Sequence, residues 1–135
     1  MVTNFNLLPL SIHIKDLKTN ANKIKGVFFM KNFYSVNGFL ITSSDKRDEL
    51  LGYLLEAGKG MENVEDNFIY SVGIDPEDDT KVYIYEVWRN KEAHENSLKM
   101  EIFVDLIKKA QPIIKGMEDY PSLIIKGGKG IDSIE

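Results

Sequence analysis

Three stretches of the chain are rich in aromatic and β-branched residues and end at polar, turn-forming residues, which is the pattern of β-strands. They are residues 33–42 (FYSVNGFLIT), 67–74 (NFIYSVGI) and 82–88 (VYIYEVW). Between the second and third stretches lies DPEDDTK, in which a proline and several aspartates favour a turn. The second and third strands are therefore predicted to form an antiparallel hairpin.

Apolar residues recur at intervals of three and four in two other stretches, which predicts two amphipathic helical regions. The first runs from about residue 45 to 61 and follows Ser43 or Ser44, either of which suits the N-cap. The second begins after Asn90 as its N-cap, is either continuous or kinked, and is broken by Gly116. Its apolar stripe is Phe103, Leu106, Ile107, Ala110, Ile113 and Ile114.

A last strand is predicted within residues 120–128 (YPSLIIKGG), which completes the order strand, helix, strand, strand, helix, strand. This βαββαβ order predicts an α+β, ferredoxin-like sandwich with both helices on one face of the sheet. In residues 82–88 both alternating sets of side chains are largely apolar, so the other face of the sheet also needs a cover. Because four candidate strands leave no second sheet in the chain, the predicted cover is the sheet of a second subunit.

The composition favours one soluble domain and argues against several classes of function. The chain has 135 residues, of which 43% are hydrophobic and 28% are charged. No apolar run approaches the ~20 residues that cross a bilayer, and the start lacks the pattern of a secretion signal, so we expect a cytoplasmic protein without membrane association. With no cysteine and two histidines we expect no metal site, and a formal charge of -4 argues against nucleic-acid binding.

Residues 75–103, DPEDDTKVYIYEVWRNKEAHENSLKMEIF, resemble the antibiotic biosynthesis monooxygenase family, in which an Asp-Pro-Glu-Asp type turn leads into a strand ending Tyr-Glu-x-Trp/Tyr and then a helix. The resemblance extends from about Tyr34 to Ile125. It implies a dimeric α+β barrel with a substrate pocket between the sheet and the helices of each subunit. The family includes oxygenases that act on quinols and polyketide phenols without metal or flavin, heme degraders and an isomerase of autoinducer sugars.

The functional residues of the family carry over only in part. The histidines that follow the tryptophan strand in the family's quinol oxygenases fall on Ser97 and Ile102. Asn37 matches an asparagine of the heme-degrading branch, but Ser97 and Ile107 stand where that branch has tryptophan and histidine. Heme iron therefore lacks an evident axial ligand, and heme degradation is the less favoured interpretation.

The candidate catalytic residues are Asn37, Glu86 and His94. Asn37 is an amide within an apolar strand; it either stabilises an anionic oxygen or makes a structural hydrogen bond or a bulge with Gly38. Glu86 has apolar neighbours that would raise its pKa and make it a proton acceptor, or else it pairs with Arg89, with a lysine or with the dimer partner. His94 is a titrating base by type, but its polar neighbours also fit an exposed histidine.

The candidate substrate-binding residues are Phe39, Tyr70, Trp88, Ser97 and Phe103. Trp88 is either a wall for a flat aromatic ring or a core residue. The favoured function is a cofactor-independent monooxygenase that acts, as a homodimer, on a small aromatic or quinol-type substrate and molecular oxygen. The alternative is a non-catalytic dimeric protein of the same fold that binds a small ligand.

The family-like domain is predicted to span residues 30–128, followed by a flexible tail at residues 129–135. Residues 1–29 form a longer segment before the first strand than related domains usually have. We interpret this segment as either an N-terminal extension or a mistranslated leader that precedes a native start at Met30.

Overall fold

The computed structural model describes residues 30–135, so residues 1–29, and with them the choice between an extension and a leader, lie outside the described residues. The described strands are β1 (Phe33–Ile41), β2 (Asn67–Asp75), β3 (Asp78–Trp88), β4 (Gly116–Asp119) and β5 (Ile124–Ile125). The described α-helices are α1 (Arg47–Gly60), α2 (Lys91–Ser97) and α3 (Glu101–Ala110).

The strands form one antiparallel sheet in the order β2-β3-β1-β4, with β5 paired to β1 beyond the end of β4. This order, together with the βαββαβ succession along the chain, confirms the predicted α+β ferredoxin-like fold. The fourth strand position is shared by β4 and β5, whereas one strand was predicted within 120–128. Pro121 lies between the two, and because proline has no backbone N–H, it cannot donate to the strand ladder there.

Backbone hydrogen bonds continue on both sides of this interruption. The N–H of Tyr120 donates to the carbonyl oxygen of Asn37 at 2.8 Å, and the N–H of Ser35 donates to the carbonyl oxygen of Leu123 at 3.0 Å. The Oγ of Ser35 also accepts from the N–H of Leu123 at 2.8 Å. The segment between β4 and β5 thus stays attached to the edge of β1 although it is not a continuous strand.

The hairpin and the helical regions differ from the prediction at their ends. Strand β3 begins at Asp78, four residues earlier than predicted, because Asp75 and Asp78 already pair across the turn. The second helical region is broken into α2 and α3, and Asn90 caps α2 as predicted, its Oδ1 accepting from the N–H of Ala93 at 2.8 Å. A 3-10 turn at Ser44–Lys46 precedes α1.

The main core lies between one face of the sheet and helices α1 and α3. Its buried members are Leu50, Leu54, Ala57, Met61, Val82, Trp88, Phe103, Leu106 and Ala110. A smaller cluster on the outer sheet face, which is the face away from the helices, is centred on Phe33, Val87 and Ile131. A bulge between Asn67 and Ile69 brings Phe68 to the outer cluster, whereas Tyr70 packs against the main core.

The last residues of the chain carry a buried side chain. Ile131, within the segment predicted as a flexible tail, is 7% exposed and packs in the outer cluster with Ile134 nearby. The carbonyl oxygen of Glu135 accepts a hydrogen bond from Nη2 of Arg89 at 3.1 Å. The flexibility of residues 129–135 stays a prediction, but these contacts give the segment a defined position on the sheet.

Candidate active site

A large cavity lies between the sheet and the helices, and we call it the sheet–helix cavity. Its volume is about 720 Å³. Apolar side chains of β1, α1 and α3 form most of its lining, among them Val36, Leu40, Leu50, Leu54, Phe103 and Leu106. Cavities of roughly 300–1,000 Å³ with an apolar lining and a few polar groups are typical sites for small molecules.

Glu86 is the buried acid of this cavity. It lies two residues before the end of β3, where its neighbours across the sheet are Val36 on β1 and Tyr70 on β2. The residue is 7% exposed, and its Oε1 accepts a hydrogen bond from Nε1 of Trp88 at 2.9 Å. Burial raises the pKa of Glu86 to about 7, and the hydrogen bond from Trp88 opposes that rise. The side chain can therefore exchange a proton with a bound molecule near neutral pH.

Tyr70 stands beside Glu86 and forms part of the cavity wall. Its hydroxyl donates to the carbonyl oxygen of Leu54 at 3.2 Å, which ties β2 to helix α1. Burial, and secondarily the charge of Glu86, raise the pKa of Tyr70. The ring of Phe103 on α3 lies with its centroid 6.4 Å from that of Tyr70. The two rings line the cavity at an angle of 57° to each other, and the Tyr70 hydroxyl stays protonated near neutral pH.

His94 enters the cavity because Asn90 fixes the start of helix α2. Its ring lies edge-on to Trp88 with centroids 5.7 Å apart and is 6.0 Å from the ring of Tyr34. Burial lowers the pKa of His94, although the charge of Glu95 opposes this. The half-buried imidazole is therefore neutral near pH 7 and can both donate and accept a hydrogen bond.

Two of the predicted substrate-binding residues do not line the cavity but contact residues that do. Trp88 is fully buried and does not line the cavity, since its indole N–H is directed to Glu86. Ser97 is buried too, and its Oγ donates to the backbone carbonyl of His94 at 2.5 Å, within helix α2. Neither residue is among those that line the cavity, and a direct contact of either with a substrate stays a prediction.

Asn37 lines the same cavity as Glu86 and His94, but it lies on the other face of β1 from Val36. In the pairing of β1 with β3, Val36 is opposite Glu86, whereas Asn37 is opposite Tyr85 of the outer face. Strand alternation therefore directs the amide away from Glu86. The same holds for Phe39, whose ring packs 5.2 Å from that of Tyr83. Both residues nevertheless line the cavity, and the role of Asn37 as an anion-stabilising amide stays a prediction.

Several lining residues were not predicted. Tyr34 lies on the face of β1 opposite to Asn37, and its hydroxyl accepts a hydrogen bond from Oγ of Ser122 at 3.2 Å. Met117, Asp119 and Tyr120 reach the cavity from β4 and the segment after it. Their position depends on the pairing of β4 with β1, which no local sequence pattern gives.

Two features are absent from the part of the chain that the structure describes. Between residues 30 and 135 there is no cluster of three or more His, Asp or Glu side chains that could hold a metal ion. In the same range no helix has the length and apolar character needed to span a bilayer.

The fold and the cavity define a small α+β protein with a largely apolar cavity between the sheet and the helices and a buried acid in its wall. The model of the antibiotic biosynthesis monooxygenase family matches residues 33–109. A provisionally named antibiotic biosynthesis monooxygenase from Chloroflexus aurantiacus is 30% identical, with a TM-score of 0.65, over 73% of this chain and 98% of that one. The chain belongs to the antibiotic biosynthesis monooxygenase family.

More distant structures share the fold. A protein from Deinococcus radiodurans is 16% identical with a TM-score of 0.62, over 70% of this chain and 94% of that chain. A protein from Bacteroides thetaiotaomicron is also 16% identical, with a TM-score of 0.65, over 72% of this chain and 94% of that chain. Both carry provisional names as antibiotic biosynthesis monooxygenases. No protein of curated function matches the chain.

Proposed function

We propose that the protein is a cofactor-independent monooxygenase that oxidises a small aromatic or quinol-type substrate with molecular oxygen. The observation that carries the proposal is the Glu86 carboxyl, buried in the wall of an apolar cavity and with a pKa of about 7. Membership of the monooxygenase family supports the same class of reaction.

Glu86 acts as the general base in this proposal. As the carboxylate it takes the proton of a ring hydroxyl. This transfer is most efficient when the pKa of Glu86 and the pKa of the hydroxyl in the apolar cavity are close to each other. The phenolate transfers one electron to molecular oxygen, and the resulting radical and superoxide combine into a C–O bond at a ring carbon. Loss of the ring proton and cleavage of the O–O bond release water, with the proton on Glu86 returned to the leaving oxygen.

The balance of this reaction closes without a further reductant. One oxygen atom enters the product and the other leaves as water, and the substrate supplies all four electrons. A hydroquinone therefore leaves as a hydroxyquinone. In this arrangement Tyr70 and Phe103 hold the ring, and the neutral imidazole of His94 with the hydroxyl of Tyr34 provides hydrogen bonds for the second ring oxygen.

The protein is proposed to work as a homodimer in the cytoplasm. The outer sheet face supports this, because its apolar side chains Phe68, Ile69 and Tyr85 stay partly exposed in a single subunit. Dimers that associate through such faces bury the second side of the sheet. Equilibrium sedimentation at micromolar concentration tests this part: we expect twice the mass of the chain, and a single subunit would contradict it.

The function is tested by oxygen uptake with a panel of hydroquinones, corrected for enzyme-free autoxidation. We expect turnover by the wild type and a loss of at least ~100-fold in kcat for Glu86→Gln, the usual contribution of a general base. Glu62→Gln removes an equal charge at an exposed position after α1 and should keep full activity. No oxygen consumption by the wild type, or full activity of Glu86→Gln, would contradict the proposal.

A second candidate is a non-catalytic protein that binds a small aromatic ligand in the same cavity. Ser97 favours this candidate. The resemblance places a histidine of the family's quinol oxygenases at this position, whereas the Ser97 hydroxyl here makes a hydrogen bond inside helix α2. Ligand binding without oxygen uptake across the panel is the outcome expected for this candidate.

A further inference from the structure

The opening of the sheet–helix cavity has two chemically different ends. Tyr34, His94 and Ser122 lie at the end where β1 begins, and all three carry polar groups. Ile107, Ile114 and Met117 lie at the opposite end, where β4 begins, and we call these three residues the apolar mouth. A bound molecule that fills the cavity therefore meets three polar side chains at one end, and at the other end hydrocarbon together with the amide of Gln111.

The apolar mouth is continuous with the cavity and open to solvent. Ile107 and Met117 line the cavity, yet they are 50% and 66% exposed. The backbone places them together, because Met117 pairs with Leu40 on β1 and the N–H of Ile114 donates to the carbonyl oxygen of Ala110 on the last turn of α3. Single exposed apolar residues need no explanation, but a group that extends an apolar cavity to the surface marks a binding surface.

The distance between the acid and the apolar mouth is longer than one aromatic ring. Glu86 is level with Val36 on β1, and Met117 is level with Leu40. Four residues of extended strand separate these levels, about 13 Å at 3.3 Å per residue. A single ring placed at Glu86 would leave this part of the cavity, with its volume of about 720 Å³, unfilled.

The charges of the lining exclude an anionic extension of the substrate. Within the part of the chain that the structure describes, the charged residues that line the cavity are Glu86 and Asp119, both carboxylates. A phosphate or carboxylate inside the cavity would meet no cationic side chain among the described lining residues and would be repelled by these two carboxylates. An uncharged hydrocarbon chain is the extension that fits.

We propose that the ligand of this site is a hydroquinone or phenol that carries a flexible hydrocarbon side chain. Its ring lies against Glu86, and its chain leaves the cavity over Ile107, Ile114 and Met117. The oxidation of the ring rests on the proposed function, whereas the recognition of the chain rests on the apolar mouth. The two parts can therefore be tested apart.

The test compares methylhydroquinone, butylhydroquinone and heptylhydroquinone, which share one head group. We expect kcat/KM to rise at least tenfold from the methyl to the heptyl compound, because the added methylene groups leave water. Ile107→Ser should remove most of this difference in kcat/KM between the heptyl and the methyl compound. Val104→Ser is the matched control: Val104 lies on the same helix and is exposed to a similar degree but does not line the cavity, so the ratio should be kept. A ratio that is flat with chain length, or equal in both variants, would overturn the proposal.

A binding measurement separates this proposal from the proposed function. The chain has one tryptophan, Trp88, so its quenching by the corresponding quinones reports binding at this site without turnover. If no hydroquinone is turned over but the affinity rises with chain length and falls in Ile107→Ser, the oxygenase fails and the chain recognition stands. Affinity that does not depend on chain length overturns the recognition. A change of oligomeric state in Ile107→Ser would also overturn it, since a second copy of the chain would then cover the mouth.

Discussion

The buried carboxyl of Glu86 makes a specific prediction about stability. Its pKa rises from 4.5 to about 7 on folding, mainly because the side chain leaves water. Between these two values the folded state holds a proton that the unfolded state has released. The free energy of unfolding therefore falls as the pH rises through this window, and the loss is complete above about pH 7.

The magnitude follows from the size of the shift. A difference of one pKa unit corresponds to 1.36 kcal/mol, so a rise from 4.5 to about 7 costs roughly 3 kcal/mol when Glu86 is ionised. Glu86→Gln removes this cost, and the amide oxygen can still accept the hydrogen bond of Trp88. We therefore expect the variant to be more stable than the wild type by about 3 kcal/mol in alkaline solution, although it is the less active protein.

Urea unfolding followed by far-ultraviolet circular dichroism measures this difference at about pH 4 and about pH 8.5. At the acidic pH both side chains are neutral, and the two proteins should agree within about 1 kcal/mol. Glu62→Gln controls for the loss of one surface charge and should follow the wild type at both pH values. Equal stability of Glu86→Gln and wild type in alkaline solution, or a gain of the same size at both pH values, would refute a proton held on buried Glu86.

Three further predictions concern neighbouring positions. Trp88→Phe removes the hydrogen bond that lowers the pKa of Glu86, so the ascending limb of the pH profile of kcat should move to higher pH; an unchanged limb would contradict the contact. Gly38→Ala places a Cβ against the backbone of β4 and should lower the free energy of unfolding by about 1–3 kcal/mol. At Gly52, which lies inside a helix, a Cβ would meet open space, so Gly52→Ala should raise the free energy of unfolding by about 0.5–1 kcal/mol. Urea unfolding measures both changes. Asn37→Ala should change kcat less than threefold in the oxygen assay, because the side chain faces away from Glu86. A tenfold loss of kcat would show that the amide takes part in the reaction.

Local patterns predicted the parts of the fold that depend on local chemistry. The alternation along β3 grouped Glu86 with Trp88 on one face, and this grouping is the basis of their hydrogen bond. Asn90 was predicted as the N-cap of α2 from its residue type and position, and its side chain accepts the capping hydrogen bond from the N–H of Ala93. Such features need only a few neighbouring residues, so the sequence is sufficient to find them.

The register between strands was not available from local patterns. A shift of one residue in the pairing register exchanges the two faces of a strand. In β1 the register decides whether Val36 or Asn37 lies opposite Glu86. The sequence favoured Asn37 because an amide in an apolar strand suggests function. The pairing that directs it to the outer face is set by contacts with β3, which is more than forty residues away in the sequence. The lining residues from β4 escaped prediction for the same reason.

Both borders of the sheet are irregular, and this limits how the protein associates. On one border β2 has register shifts near Asn67 and near Gly73, and on the other the strand is divided around Pro121. A uniform row of free N–H and carbonyl groups, which would recruit the strand of another molecule, is thus absent from both sides of the described sheet. Growth by strand addition into fibrils is disfavoured, and contacts between molecules are left to the flat surfaces, where they can end at a defined number of subunits.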